Sequence, residues 1–175
     1  MDTLLGALHA AAWATYVGGA ITMEWILRYV QRTMPPSQVG IVCKNAGMRY
    51  RWLALGALTV IGVTGGAMLL RIDDAVLASR PGSPELSLSD PYGRTLLLLT
   101  ALWCLLAATV ALMAFWLHPA QRKRSRPEMS DAEIAAERAR VGQAITRMDH
   151  ALKFELVVSV IAVGVGASLH RGGLA

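Results

Sequence analysis

His9 is the first residue in the chain whose type and position indicate chemistry, because it lies inside an uncharged run, residues 3–23. At about 1.5 Å per residue, such a run is long enough to cross a hydrocarbon layer of about 30 Å. An ionisable group is costly to bury in a membrane span and marks a functional site by default. A neutral imidazole is also a good metal ligand. We therefore predict that His9 binds a metal or a cofactor, with a hydrogen-bonded packing role as the alternative.

The helix that carries His9 should present other pocket residues on the same face. Helical spacing of three and four residues places Trp13, Tyr16, Ala20 and Met23 on the side of His9. If the imidazole projects inward, we expect these side chains, Tyr16 among them, to line the cofactor pocket.

The opposite face of that pocket has two candidate protein ligands, His170 and Met68. His170 is the most accessible second imidazole, but His9 lies roughly 6 to 9 Å deeper in its span, so a bis-histidine site needs staggered helices. Met68 is a soft ligand that overhangs the site from the second span, and Met23 and Met113 are further thioethers that suit copper. We predict His9 as the ligand and leave the opposite face to Met68, His170 or water.

The second span contains closely spaced glycines, Gly62, Gly65 and Gly66. Small residues four positions apart let another helix backbone approach closely. The same glycines could instead open space for a flat cofactor ring, and both interpretations stay open.

The composition of the 175-residue chain assigns it to the membrane proteins. It is 54% hydrophobic with a mean hydropathy of +0.43, too apolar for an ordinary soluble domain. Four segments near the length of a spanning helix are predicted, at about 4–28, 52–70, 95–117 and 151–170. The predicted fold is therefore all-α, one integral membrane four-helix bundle over residues 1–175.

The distribution of basic residues predicts the topology. Thirteen of the 17 Lys and Arg residues fall in residues 28–51 and 122–153. By the positive-inside rule, loops 29–51 and 118–150 are cytoplasmic, whereas both termini and loop 71–94 lie outside. Topology and the lipid bilayer explain the net charge of +5, so a nucleic-acid partner is not expected.

Several local signals predict where the helices begin. Ser37 is a candidate N-cap of the second helix, Asp90–Pro91 begins the third, and Ser130 with Glu133 forms a capping box. Because no helix breaker follows before residue 151, the fourth helix should extend into the cytoplasm. Two further expectations are an ion pair between Glu24 and Arg28 and a short helix near residues 74–78.

Four stretches of the sequence resemble a known family: LHAAAWATYVGG, RYRWLALGALTVIGVTGG, PYGRTLLLLTALW and KFELVVSVIAVGVGASL. They are similar to the four-helix module of the copper-resistance D (CopD) family and of the related HemJ-type protoporphyrinogen oxidases. The family features fall on these residues: His9, Tyr16 with Gly18 and Gly19, Arg49 with Arg51, Tyr92 with Gly93, and Glu155. Both families tend to carry a Lys a few residues after the Tyr-Gly pair, and residues 95–100 contain none.

Three functions from different classes stay open. The first is a haem b-binding redox or electron-transfer protein of the bacterial inner (plasma) membrane, with His9 as ligand. The second is a copper transport or resistance permease. The third is a non-catalytic subunit that packs in a larger membrane complex or homo-oligomer. Because the Lys is absent, an independent enzyme such as a HemJ-type oxidase is the least expected outcome.

Overall fold

The computed structural model describes residues 2–72, 87–117 and 130–174, and it confirms an all-α membrane bundle. Each of its four long helices includes a stretch long and apolar enough to span a membrane. The helices are α1 (Asp2–Thr33), α2 (Pro36–Leu69), α3 (Pro91–Leu112) and α4 (Asp131–Ser168).

The helices run alternately up and down. Asp2, Leu69, Pro91 and Ser168 share one end of the bundle, which we call the terminal end. The opposite end, the turn end, holds the break between α1 and α2. Helix α1 packs most extensively against α2, and α4 packs against both α1 and α3.

Local sequence signals set the helix starts, with one correction. Helix α2 begins at Pro36 and has Pro35 at its N-cap without a side-chain cap, so the prediction of Ser37 as the cap was wrong. Proline at the first helical position needs no N–H donor, which explains this start. Asp90 caps α3 as predicted, because its carboxylate accepts from the backbone N–H of Tyr92 at 2.8 Å.

The fourth helix is continuous over 38 residues, as the absence of a breaker predicted. Its N-terminus carries the predicted capping box, in which the Ser130 backbone N–H donates to Glu133 Oε2 at 2.8 Å. At about 1.5 Å per residue the helix is ~57 Å long, well beyond a hydrocarbon layer of about 30 Å. Residues 131–136 are all exposed, which is consistent with a projection beyond the bilayer.

The core of the bundle is narrow, and its outer face is apolar. Small residues such as Ala54 and Ala57 let the helices approach around the larger buried Tyr16, Leu58 and Leu106. Large apolar side chains point outward from every helix, as for Trp25 and Leu70, which are 79% and 88% exposed. A water-soluble protein buries such groups, whereas lipid accommodates them.

The remaining local predictions are partly answered. Arg28 Nε donates to Glu24 Oε1 at 2.6 Å, which confirms that ion pair. Helix α3 continues as a π-helical turn, Met113–Leu117, and His118 lies outside the described residues. The short helix expected near residues 74–78 also lies outside them.

Candidate functional site

His9 is held on α1 by a threonine of the neighbouring helix. Its Nδ1 lies 2.8 Å from Thr64 Oγ1, and the Thr64 hydroxyl already donates to the Val60 carbonyl at 2.6 Å. The threonine oxygen can therefore only accept, so Nδ1 carries the ring proton and donates it. This bond fixes both the tautomer and the direction of the imidazole.

The other ring nitrogen of His9 carries the lone pair. It accepts from Trp13 Nε1, four residues later on the same helix, at 3.1 Å. A Cβ on Gly65 would lie 3.3 Å from His9 Cε1, so the glycine is what lets the ring lie close against α2. The half-buried imidazole is thus neutral, oriented, and bonded at both nitrogens.

The other predicted site residues do not all gather around His9. Tyr16 is fully buried and donates its hydroxyl proton to Glu155 Oε1, and its ring meets that of Trp13 edge-on at 6.1 Å. His170 is exposed, in the short 3-10 turn Leu169–Arg171. No hydrogen bond between His9 and His170 occurs among the described residues.

Met68 stays a predicted second ligand. It stands four residues after Thr64, on the same face of α2 and nearer the terminal end, and is half-buried. Among the residues that the structure describes, no group of three His, Cys, Asp or Glu side chains could hold a metal ion. A metal at His9 would therefore have few protein ligands, and a methionine sulfur is the additional ligand available beside the imidazole.

The three closely spaced glycines of α2, Gly62, Gly65 and Gly66, have different environments. A Cβ on Gly62 would lie 2.4 Å from Trp103 Cζ2, and the Trp103 indole donates to the Leu58 carbonyl at 3.0 Å. Trp103 of α3 therefore fills the space beside Gly62, which is the helix-packing interpretation. Gly65 faces His9, and Gly66 has nothing within 4 Å of a built Cβ.

Glu155 is the residue that the sequence reasoning undervalued. The resemblance gave it only as a family feature, yet it is 0% exposed, whereas His150, earlier on the same helix, is exposed. The signal was available, because an ionisable residue between apolar neighbours in a span marks a site by default. The charged residues just before it concealed that signal.

Arg51, the predicted basic residue before the second span, ties α2 to α3 at the turn end. Its Nη1 donates to the Ala114 carbonyl at 2.9 Å, within the π-helical turn, and its guanidinium lies 4.8 Å from the centre of the Trp52 ring. A π-helical turn changes the backbone hydrogen-bond pattern, which leaves a carbonyl for the arginine.

Comparison with known families bears on the predicted relationships. A family model described as CopD, copper resistance protein D, matches residues 44–169. The chain belongs to the copper resistance protein D family. The match begins within α2 and includes all of α3 and α4, so the whole of α1, with His9, lies outside it. No curated protein and no solved structure matches significantly.

Membership of the CopD family confirms one half of the predicted resemblance. It supports a multi-pass membrane protein of a copper resistance family. The relation to HemJ-type oxidases is not confirmed by this match and stays a prediction.

Proposed function

We propose that this CopD-family bundle handles copper inside the membrane, and that the Nε2 atom of His9 binds a Cu(I) ion as cargo. The observation that supports this proposal is the hydrogen bond from Nδ1 to Thr64 at 2.8 Å. A histidine that ligates a metal almost always donates its other ring N–H to a fixed acceptor, which sets the tautomer and the ring direction. His9 already has that arrangement.

The ligands near His9 suit copper better than a hard cation. Thioether sulfur is a soft ligand that selects Cu(I), and imidazole suits copper as well. Met68 lies one helical turn beyond Thr64 and is the thioether that we assign as the second ligand. A site with so few protein ligands fits an ion in transit, because it must bind weakly enough to release its cargo.

The proposal is tested by the affinity of the purified protein for Cu(I), measured in competition with a chromogenic chelator. We expect His9→Ala to abolish binding, and Thr64→Val to weaken it by about ten- to a hundredfold, the usual cost of losing the partner of a ligating histidine. His150→Ala is the matched control, because His150 is exposed on α4 and should leave the affinity unchanged. Equal affinity of the His9→Ala variant and the control would contradict the proposal.

Haem b with His9 as axial ligand, and the role as an accessory subunit, stay predictions. Three glycines were considered as room for a haem ring, and the Trp103 ring fills the space beside one of them, Gly62. An absorption spectrum of the same reduced, purified protein tests the haem prediction directly. The bacterial inner membrane is the location that we propose for the copper-handling protein.

A further inference from the structure

Glu155 is a fully buried acid in the middle of the bundle that the proposed copper site does not use. Tyr16 of α1 donates to its Oε1, and no hydrogen-bond partner of Oε2 occurs among the described residues. Tyr50 of α2 completes the cluster, because its hydroxyl lies 3.4 Å from the Tyr16 carbonyl oxygen. One acid and two phenols thus meet inside a largely apolar core. Ser159, one helical turn after Glu155, is also fully buried, but its hydroxyl donates to the Leu156 carbonyl.

No cation among the described residues neutralises this acid. On the same helix, Lys153 is bonded to Asp149 at 2.5 Å and is 43% exposed. Arg51 of α2 donates to the Ala114 carbonyl instead. The buried residues that α3 contributes to the surrounding core are apolar, Leu106 and Val110 among them.

Burial without a counter-ion decides the resting state of the group. An isolated carboxylate in an apolar interior is very costly, and the group takes up a proton instead. The proton belongs on Oε2, because Oε1 already accepts from Tyr16. A permanently neutral acid would be expected to have an acceptor for that proton, and Oε2 has none among the described residues. The group is therefore suited to exchanging its proton.

We propose that Glu155 is a proton-exchange site, which releases its Oε2 proton when Cu(I) binds at His9. The inference rests on the proposed function. One O–H bond of Glu155 breaks, the proton passes to water, and one Cu(I) ion is gained. The charge of the bundle therefore stays the same, and copper remains Cu(I) throughout.

Helix α1 connects the two sites. His9 and Tyr16 are seven residues apart, or about 10 Å along the helix axis. Trp13 lies between them, donating to His9 at 3.1 Å and packing edge-on against the Tyr16 ring at 6.1 Å. Charges at this separation still interact inside a low-dielectric bundle, so a carboxylate at Glu155 offsets the charge of a cation at His9.

Infrared difference spectroscopy of the reconstituted full-length protein tests the site, because it detects the C=O stretch of a protonated acid without any reagent reaching it. With no copper present, we expect this band to disappear reversibly as the pH rises, to be missing in Glu155→Gln, and to shift in Tyr16→Phe. A change in the protonation of His9 does not interfere, because an imidazole has no carboxyl band. A Glu155 band that is absent at every pH, or that persists unchanged at every pH, would overturn the proposal.

The second measurement adds Cu(I) at a fixed pH at which the band is present. Copper should remove the band in the wild type and leave it unchanged in His9→Ala, which keeps its response to pH. Above the range in which His9 titrates, the apparent Cu(I) affinity should rise by up to tenfold per pH unit, the slope for one released proton, and Glu155→Gln should lose this slope.

The outcomes separate the two proposals. If copper binds and the band stays, the exchange is wrong while the copper function stands. If copper does not bind, both the copper function and the copper-linked release of the Glu155 proton are wrong. The titration without copper still decides whether Glu155 exchanges a proton.

Discussion

The indole N–H of Trp13 donates to the Nε2 lone pair of His9, which is the atom that binds copper in the proposed site. The indole N–H donates to Nε2 at 3.1 Å, so a metal must displace it before it can bind there. We expect Trp13→Phe to raise the Cu(I) affinity about fivefold, because a typical hydrogen bond stabilises by about 1 kcal/mol and the phenyl ring still packs on Tyr16. Chelator competition measures this change, and a weaker affinity would show that the indole helps the metal rather than competing with it.

At the scale of residues, the sequence indicated His9 but not its partners. Its position in an uncharged run was sufficient to single it out, whereas Thr64 and Gly65 are known as neighbours only once α1 and α2 are packed. Trp13 was expected on the same helix face, and the contact is made. Glu155 was named only through the family resemblance, since its burial depends on packing with α1 and α2 that its own sequence neighbours do not show.

At the scale of elements, Gly62 sets how closely α2 and α3 can pack. A methyl group at this position would lie 2.4 Å from the Trp103 ring, so the ring and α3 must shift. We expect Gly62→Ala to lower the free energy of unfolding by about 1 to 3 kcal/mol, the usual cost of overpacking a close contact. Thermal unfolding in detergent measures it.

Gly66→Ala is the matched control for that prediction, one helical turn later in the same helix. A Cβ there meets nothing within 4 Å, and alanine is the better helix former, so this variant should be at least as stable as the wild type. Equal destabilisation of the two variants would mean that the Trp103 contact does not explain the result, because the helix backbone effect of Gly→Ala is itself stabilising.

Helix boundaries were predictable where a side chain acts on its own backbone. Asp90 and Ser130 cap their helices through bonds to residues two and three positions later, so nothing beyond the local sequence was needed. The start of α2 differed because a proline suits the first helical position, where no N–H donor is needed, so the helix begins one residue before Ser37. The π-helical turn at residues 113–117 was not predicted, since it accompanies the contact between Arg51 and Ala114, which needs two helices.

At the scale of the whole molecule, the charge distribution predicts how the bundle is oriented in the membrane. The turn end lies within residues 28–51, and the projecting start of α4 lies within residues 122–153; together these ranges carry 13 of the 17 basic residues. Cytoplasmic loops retain Lys and Arg, so both segments should face the cytoplasm and the terminal end should face outward. His9, about 10 Å from that terminal end along α1, would then be reached from outside, with Glu155 deeper towards the cytoplasm.

Reporter fusions test this orientation, which the direction of copper movement in the proposed function depends on. A phosphatase that is active only outside the cytoplasm should be active when fused after Ala175, and a fluorescent protein that matures only inside should be dark there. Inserted between residues 122 and 126, the two reporters should give the reverse result. Replacing the basic residues of this insertion site with neutral ones should reduce the bias, because the rule depends on Lys and Arg near the membrane. Fluorescence from the fusion after Ala175 would mean that the bundle has the opposite orientation. Copper would then reach His9 from the cytoplasm, and the Glu155 proton would lie nearer the outside.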